Sequence, residues 1–263
     1  MGKAKLEKAL QEKIKSNQNI FAPYIMAGDG GLDILEERIN FIEKCGASAI
    51  ELGIPFSDPV ADGPTIQEAG IRALDNGTTL TNVLETLQST KENRSIPIIM
   101  MTYLNPILVY GIDKFAKDCM NAGVDGIIIP DLPMEEEHVI SPSLSEHDIA
   151  FVRLAAMTSP KERLVKLAKR SEGFLYAVAV NGTTGARTKH DTNVTSYLDD
   201  LKKYSDVPVL AGFGVSNTEQ AHGLSKHCDG VIVGSKIVQL LHEKQFEEIN
   251  RLIKGSIFAE VKN

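Results

Sequence analysis

Short apolar runs recur through the whole chain, each followed by a charged stretch with helical spacing, and this alternation constrains the fold more than any other feature. The runs are Ile20–Met26, Ser48–Leu52, Ile96–Thr102, Gly126–Pro130, Ile149–Ala155, Phe174–Val180, Val207–Ala211 and Gly230–Val233. Several are near-continuous in Ile, Val, Ala and Met, as strands covered on both faces are. The segments between them predict helices over Leu32–Cys45, Thr65–Asn76, Thr79–Asn93, Gly111–Ala122, Met134–His147, Pro160–Ser171, Val194–Tyr204, Thr218–Lys226 and Ser235–Leu241. Leu80, Val83, Leu84 and Leu87, for example, fall on one face of a helix. Ser159 is the expected N-cap of its helix, with Pro160 in the first turn. A leading helix, Lys3–Lys15, and a trailing one, Phe246–Val261, bracket the set. Eight alternations in 263 residues fit a closed parallel barrel better than an open sheet, which has roughly five to seven strands. The expectation is an α/β fold, a single (β/α)8 TIM-barrel domain over residues 1–263 with an extra N-terminal helix.

Charge and cysteine usage narrow the function. A net charge of −7, with no basic run, argues against nucleic acid as a partner. Cys45, Cys119 and Cys228 are too scattered for a disulfide framework or a zinc site, and the six histidines fall mostly on expected helices, so no metal is expected. No apolar stretch is long enough to span a membrane and the N-terminus does not read as a signal peptide, which predicts a cytoplasmic chain.

In a barrel of this kind the chemistry lies at the C-terminal ends of the strands. Glu51 ends the second run, and the period of two places it on the same face as Ala49, taken to be the inner one. A buried carboxyl is costly unless paired or protonated. Two readings follow: a general acid with a raised pKa, or a structural carboxylate satisfied by backbone donors or a lysine. Asp62, eleven residues on in a Pro- and Gly-punctuated loop, offers a second carboxylate that could stay ionised and divide the roles. Asp29 and Asp58 read as turn or interface residues. Gly214, Gly234 and Ser235, with Gly185 as a wall, fit a phosphate held by backbone N–H groups on the last loops. The residues alone thus reach a barrel enzyme acting on a phosphorylated substrate through carboxylates.

The run ELGIPFSDPVADGPTIQ, Glu51–Gln67, closely resembles the signature of the tryptophan synthase alpha subunit family. PYIMAGD, MTYLNP, IIPDLP, GFGVS and VGSKIV match at other strand ends, in order. The resemblance implies retro-aldol cleavage of indole-3-glycerol phosphate to indole and glyceraldehyde 3-phosphate. It implies that Glu51 protonates the ring carbon bearing the glycerol chain and that Asp62 binds the indole N–H. It further implies an indole pocket of Tyr24, Met101, Ile128, Tyr176 and Phe213, and a phosphate site of Gly185, Gly214, Gly234 and Ser235. Thr184 is implied to meet Asp62 when the site closes. Pro55, Asp58, Pro59, Asn105 and Pro133 match the face that docks a beta subunit, in an alpha2beta2 tetramer. Pyridoxal phosphate would belong to that beta subunit, so no cofactor is expected on this chain. The sixth-loop arginine common in the family is replaced here by Val180.

Overall fold

The structure is a computed structural model that describes residues 2–178 and 190–258. Nine strands form one all-parallel sheet: β1 (Ile20–Met26), β2 (Ile50–Gly53), β3 (Ile98–Met101), β4 (Gly126–Ile128), β5 (Ala150–Phe151), β6 (Arg153–Ala156), β7 (Leu175–Val178), β8 (Val209–Gly212) and β9 (Gly230–Val233). Their spatial order is β5-β4-β3-β2-β1-β9-β8-β7-β6. The two ends of that order, β5 and β6, are halves of one expected run that breaks at Val152, so the sheet comes round to meet itself as a barrel. Where β5 hands over to β6, side chains replace strand partners. The Phe151 N–H donates to Glu172 Oε2 (2.9 Å) and the Arg153 N–H to Ser171 Oγ (3.1 Å).

The helices are α1 (Lys3–Lys15), α2 (Leu35–Lys44), α3 (Pro64–Asp75), α4 (Leu80–Ser89), α5 (Leu104–Tyr110), α6 (Ile112–Asn121), α7 (Ser141–Glu146), α8 (Lys161–Arg170), α9 (His190–Tyr204), α10 (Thr218–Ser225), α11 (Ser235–His242) and α12 (Phe246–Ile257). Three sequence expectations give way here. The stretch from Leu104, where no helix is expected ahead of Gly111, forms α5; Pro106 is tolerated because the first helical N–H groups have no intrahelical acceptor. Met134–His147 is a 3₁₀ turn (Met134–Val139) followed by α7 rather than one helix, with Pro142 in the first turn of α7. Pro160 itself is the N-cap of α8, which starts at Lys161 without a side-chain cap bond, so Ser159 does not cap it.

Alternation along the strands sorts the core into layers. Phe21, Ile25, Ile50 and Leu52 pack outward under helices, whereas Ile20, Ala22, Ala49, Ile99, Ile128, Leu210 and Ile232 fill the barrel. Leu6 and Leu10 of α1 join the inner group and plug the N-terminal end. Gly173, at φ +69°, makes room for that plug: a Cβ there would lie 2.6 Å from Leu6 Cδ2. The buried Asp125 fastens α1, accepting from the Gly2 N–H (2.8 Å) and lying 3.3 Å from Lys5 Nζ.

Candidate active site

The C-terminal strand ends open into a cleft of about 790 Å³, lined by Tyr24, Glu51, Asp62, Met101, Tyr176, Gly214, Gly234 and Ser235 among others. Glu51 on β2 pairs in register with Tyr24 of β1, and Ala49 lies inside the barrel, so Glu51 points inward as the period of two requires. Only 2% of the residue is exposed. Burial first, and then the charge of Asp62, push its carboxyl from 4.5 up to about 8, against a hydrogen bond with Tyr176 that favours ionisation. Its Oε2 is buried and has no hydrogen-bond partner. A structural carboxylate would have its oxygens satisfied or a cation beside it; the causes acting on Glu51 include no Lys or Arg. That favours the acid reading of this residue over the structural one.

Asp62 lies just ahead of α3, in the loop after β2. Its N–H donates to the Pro59 carbonyl (3.1 Å), and its own carbonyl accepts from Gln67 Nε2 (2.9 Å). Burial raises its pKa, while the Tyr103 hydroxyl, donating to Oδ2 at 2.9 Å, pulls it back down. Glu51 is the more deeply buried, so the pair divides into a protonated acid and a carboxylate that ionises first.

Two glycines shape the walls. A Cβ on Gly53 would fall 1.8 Å from the Tyr24 hydroxyl, and one on Gly212 would fall 2.4 Å from Tyr176 Cε2. Both tyrosines reach the cleft only because their neighbouring strands end in glycine. The apolar wall is completed by Ile66, Leu154 and Ile232. The sequence reading missed these three, although the inward phase of their strands was a usable signal for Leu154 and Ile232. Two expected pocket residues stand elsewhere. Ile128 is wholly inside the barrel core, below the cleft, and the next residue, Ile129, lines it instead. Phe213 packs outward against Tyr197, with ring centroids 6.2 Å apart, because it follows Gly212 in the opposite phase.

At the other end of the cleft, Gly234 is the N-cap of α11 and Ser235 its first residue. The first-turn N–H groups of a helix lack intrahelical acceptors and carry its positive pole, a ready site for an anion. Gly214 adds a left-handed turn at φ +66°. Thr184 and Gly185 lie outside the described residues, as does Val180. Of the expected docking residues, Asp58, Asn105 and Pro133 are exposed and Pro59 is half-exposed, whereas Pro55 is buried and cannot present itself to a partner. Val60 and Val109, each 82% exposed, stand out as large apolar side chains in the same two connections, after β2 and on α5. Among the described residues, no group of three or more His, Cys, Asp or Glu could hold a metal ion, and no helix is long and apolar enough to cross a membrane.

Comparison with known proteins adds a family to this geometry. The family model described as tryptophan synthase alpha chain matches residues 10–263. The tryptophan synthase alpha chain of Oceanobacillus iheyensis is 60% identical over 261 residues, 99% of this chain and 100% of that one. That of Bacillus anthracis is 49% identical over 247 residues, 94% of this chain and 96% of that one. Among solved structures, the tryptophan synthase alpha subunit of Legionella pneumophila str. Paris superposes with a TM-score of 0.86 at 31% identity, covering 96% of each chain. A ligand-free tryptophan synthase from M. tuberculosis matches with a TM-score of 0.85 at 30% identity, over 95% of this chain and 96% of that one.

Proposed function

This chain belongs to the tryptophan synthase alpha chain family, and we propose that its Glu51 and Asp62 carry out that family's alpha reaction. The reaction is the lyase step that cleaves indole-3-glycerol phosphate to indole and glyceraldehyde 3-phosphate in tryptophan biosynthesis. The phosphate sits on the backbone donors of Gly214, Gly234 and Ser235, and the indole lies against Tyr24, Met101, Leu154 and Ile232. Glu51 gives its proton to the ring carbon that bears the glycerol chain, which turns the indole into an indolenine cation. Asp62, ionised, accepts the indole N–H and stabilises the positive charge as it develops. The Glu51 carboxylate then takes the proton of the adjacent side-chain hydroxyl. The carbon–carbon bond breaks, its electron pair returns to the ring, and the hydroxyl carbon leaves as the aldehyde of glyceraldehyde 3-phosphate. Thr184 and Gly185 are carried over from the family as closure and phosphate-wall residues.

The observation that carries this reading is Glu51 itself: a carboxyl buried in the cleft, still protonated near neutral pH, with one oxygen unpartnered. Glu51→Gln keeps the shape but has no proton to transfer. Indole release by the purified variant should fall by several orders of magnitude, at ~1.4 kcal/mol per tenfold, with KM little changed. Turnover near the wild-type rate would remove Glu51 as the acid.

The partner reading is a beta chain of the same enzyme, docked on the rim formed by Asp58, Pro59, Val60, Asn105, Val109 and Pro133, in an alpha2beta2 assembly. Its support is the pair of exposed valines beside loops that reach the catalytic residues. Pyridoxal phosphate would stay with that partner, and the reading places a single-domain chain in the cytoplasm with no cofactor of its own. Adding a beta subunit should raise kcat for cleavage, and Val109→Asp should blunt that rise. Equal turnover with and without saturating partner would favour a stand-alone lyase.

A further inference from the structure

The loop that bears Asp62 is pinned at its backbone, by the bonds of Asp62 to Pro59 and Gln67, but most of its side chains stand open to solvent. Asp58, Val60 and Ala61 are all exposed, and Asp62 is only half-buried. What fixes the carboxylate is a single hydroxyl behind it. Tyr103 accepts the Ala61 N–H at 3.0 Å and donates to Asp62 Oδ2 at 2.9 Å, so two successive loop residues hang on one oxygen. Its ring is buried, and Phe56, from the start of the same loop, lies against it with centroids 5.3 Å apart. The backbone of Tyr103 is rigid in turn: it is the N-cap of α5, and the next residue, Leu104, donates its N–H to Asp131 Oδ1 at 2.9 Å. Resting on the catalytic role assigned above to Asp62, we propose that Tyr103 is a positioning residue, which aims the Asp62 carboxylate at the indole N–H and preserves its charge.

The phenol is suited to this because burial and the nearby Asp62 push its own ionisation far upward, so it remains a donor throughout the working range. The titratable groups that face Asp62 are Glu51 from β2, Tyr24 from β1, Tyr176 from β7 and Tyr103 itself, with Asp131 acting on Tyr103 from beyond. None of the groups facing Asp62 is a cation, and Tyr103 is the one that favours its charged form.

Tyr103→Phe removes the hydroxyl and little else. The expected result is a fall in kcat of about tenfold to a hundredfold, the weight of a hydrogen bond to a charged group. The acid limb of the kcat/KM profile should also move to higher pH, since Asp62 then protonates more readily, while the alkaline limb set by Glu51 stays in place. A loss of the same size at every pH, or a profile that superposes on the wild type, would overturn the proposal; thermal unfolding of the variant shows that it is folded. Asp62→Asn, assayed in parallel, keeps the two ideas apart. If it turned over at the wild-type rate, the role of Asp62 would fail first; if it lost activity while Tyr103→Phe did not, only the role of Tyr103 would fail.

Discussion

The residue that works hardest in this molecule also weakens it. Folded, Glu51 holds its proton up to about pH 8, whereas an unfolded glutamate releases it near 4.5. Folding therefore takes up a proton between those values, and stability falls as pH rises through that window, by about 1.4 kcal/mol per unit. Glu51→Gln abolishes the titration. Its thermal midpoint should exceed that of the wild type, by a margin that widens between pH 5 and pH 8 in parallel melts. A margin that stayed constant with pH would show that Glu51 is not protonated in the folded chain. The inward aim of Glu51 was legible from Ala49 and a period of two. The direction of its pKa followed from that burial, with the second carboxylate adding to it. Tyr103 was not legible, although it lies inside the MTYLNP run, because its role depends on a loop forty residues earlier folding back over it. The outward turn of Phe213 was missed for a related reason: a family match carries over an alignment column, not a side-chain direction.

At the scale of elements, the alternation of apolar run and helix marked every strand, and it gave β1, β9 and α1 at their observed bounds. It did not foresee the break at Val152, where Ser171 and Glu172, from the connection that leads into the neighbouring β7, take over backbone donors. Nor did it foresee α5, whose first N–H is satisfied by Asp131 from the next strand end. Both are tertiary solutions to local hydrogen-bond needs, invisible in a window of residues. The strand ends show the same logic in their glycines. Gly212 has no positive φ to explain it; its purpose is to leave space for the ring of Tyr176, which starts opposite Leu210 on the neighbouring strand, leans over Gly212 and bonds Glu51. Gly212→Ala should force that ring aside and take its hydroxyl from Glu51, lowering kcat by about tenfold or more with only a modest loss of stability. A kcat equal to wild type would mean that the ring can yield without disturbing Glu51, and that Tyr176 is wall rather than support.

The whole molecule separates stability from chemistry along the barrel axis. The cleft occupies the C-terminal end of the strands, whereas the N-terminal end is closed by α1, whose Leu6 and Leu10 are fully buried in the barrel core. Gly126 and Gly173 crowd against Leu6, Asp125 holds the Gly2 N–H, and Lys3 pairs with Glu172 at 2.6 Å, so the plug is fastened on several sides. The surrounding wall is made of backbone and packed strands and cannot collapse into a void left there. Leu6→Ala should therefore cost toward the upper part of the ~2–5 kcal/mol seen for buried leucine truncations. In a chain of this size that lowers the thermal midpoint by on the order of 10 °C. The cleft is separated from Leu6 by the Ile99, Ile128 and Leu210 layer of the core, so kcat and KM measured well below the new midpoint should be unchanged. A variant that kept its midpoint would show that α1 only rests on the floor of the barrel. One that lost kcat while still folded would show that strain at the floor reaches Glu51 through the strands, and the two ends would have to be treated as one mechanical unit.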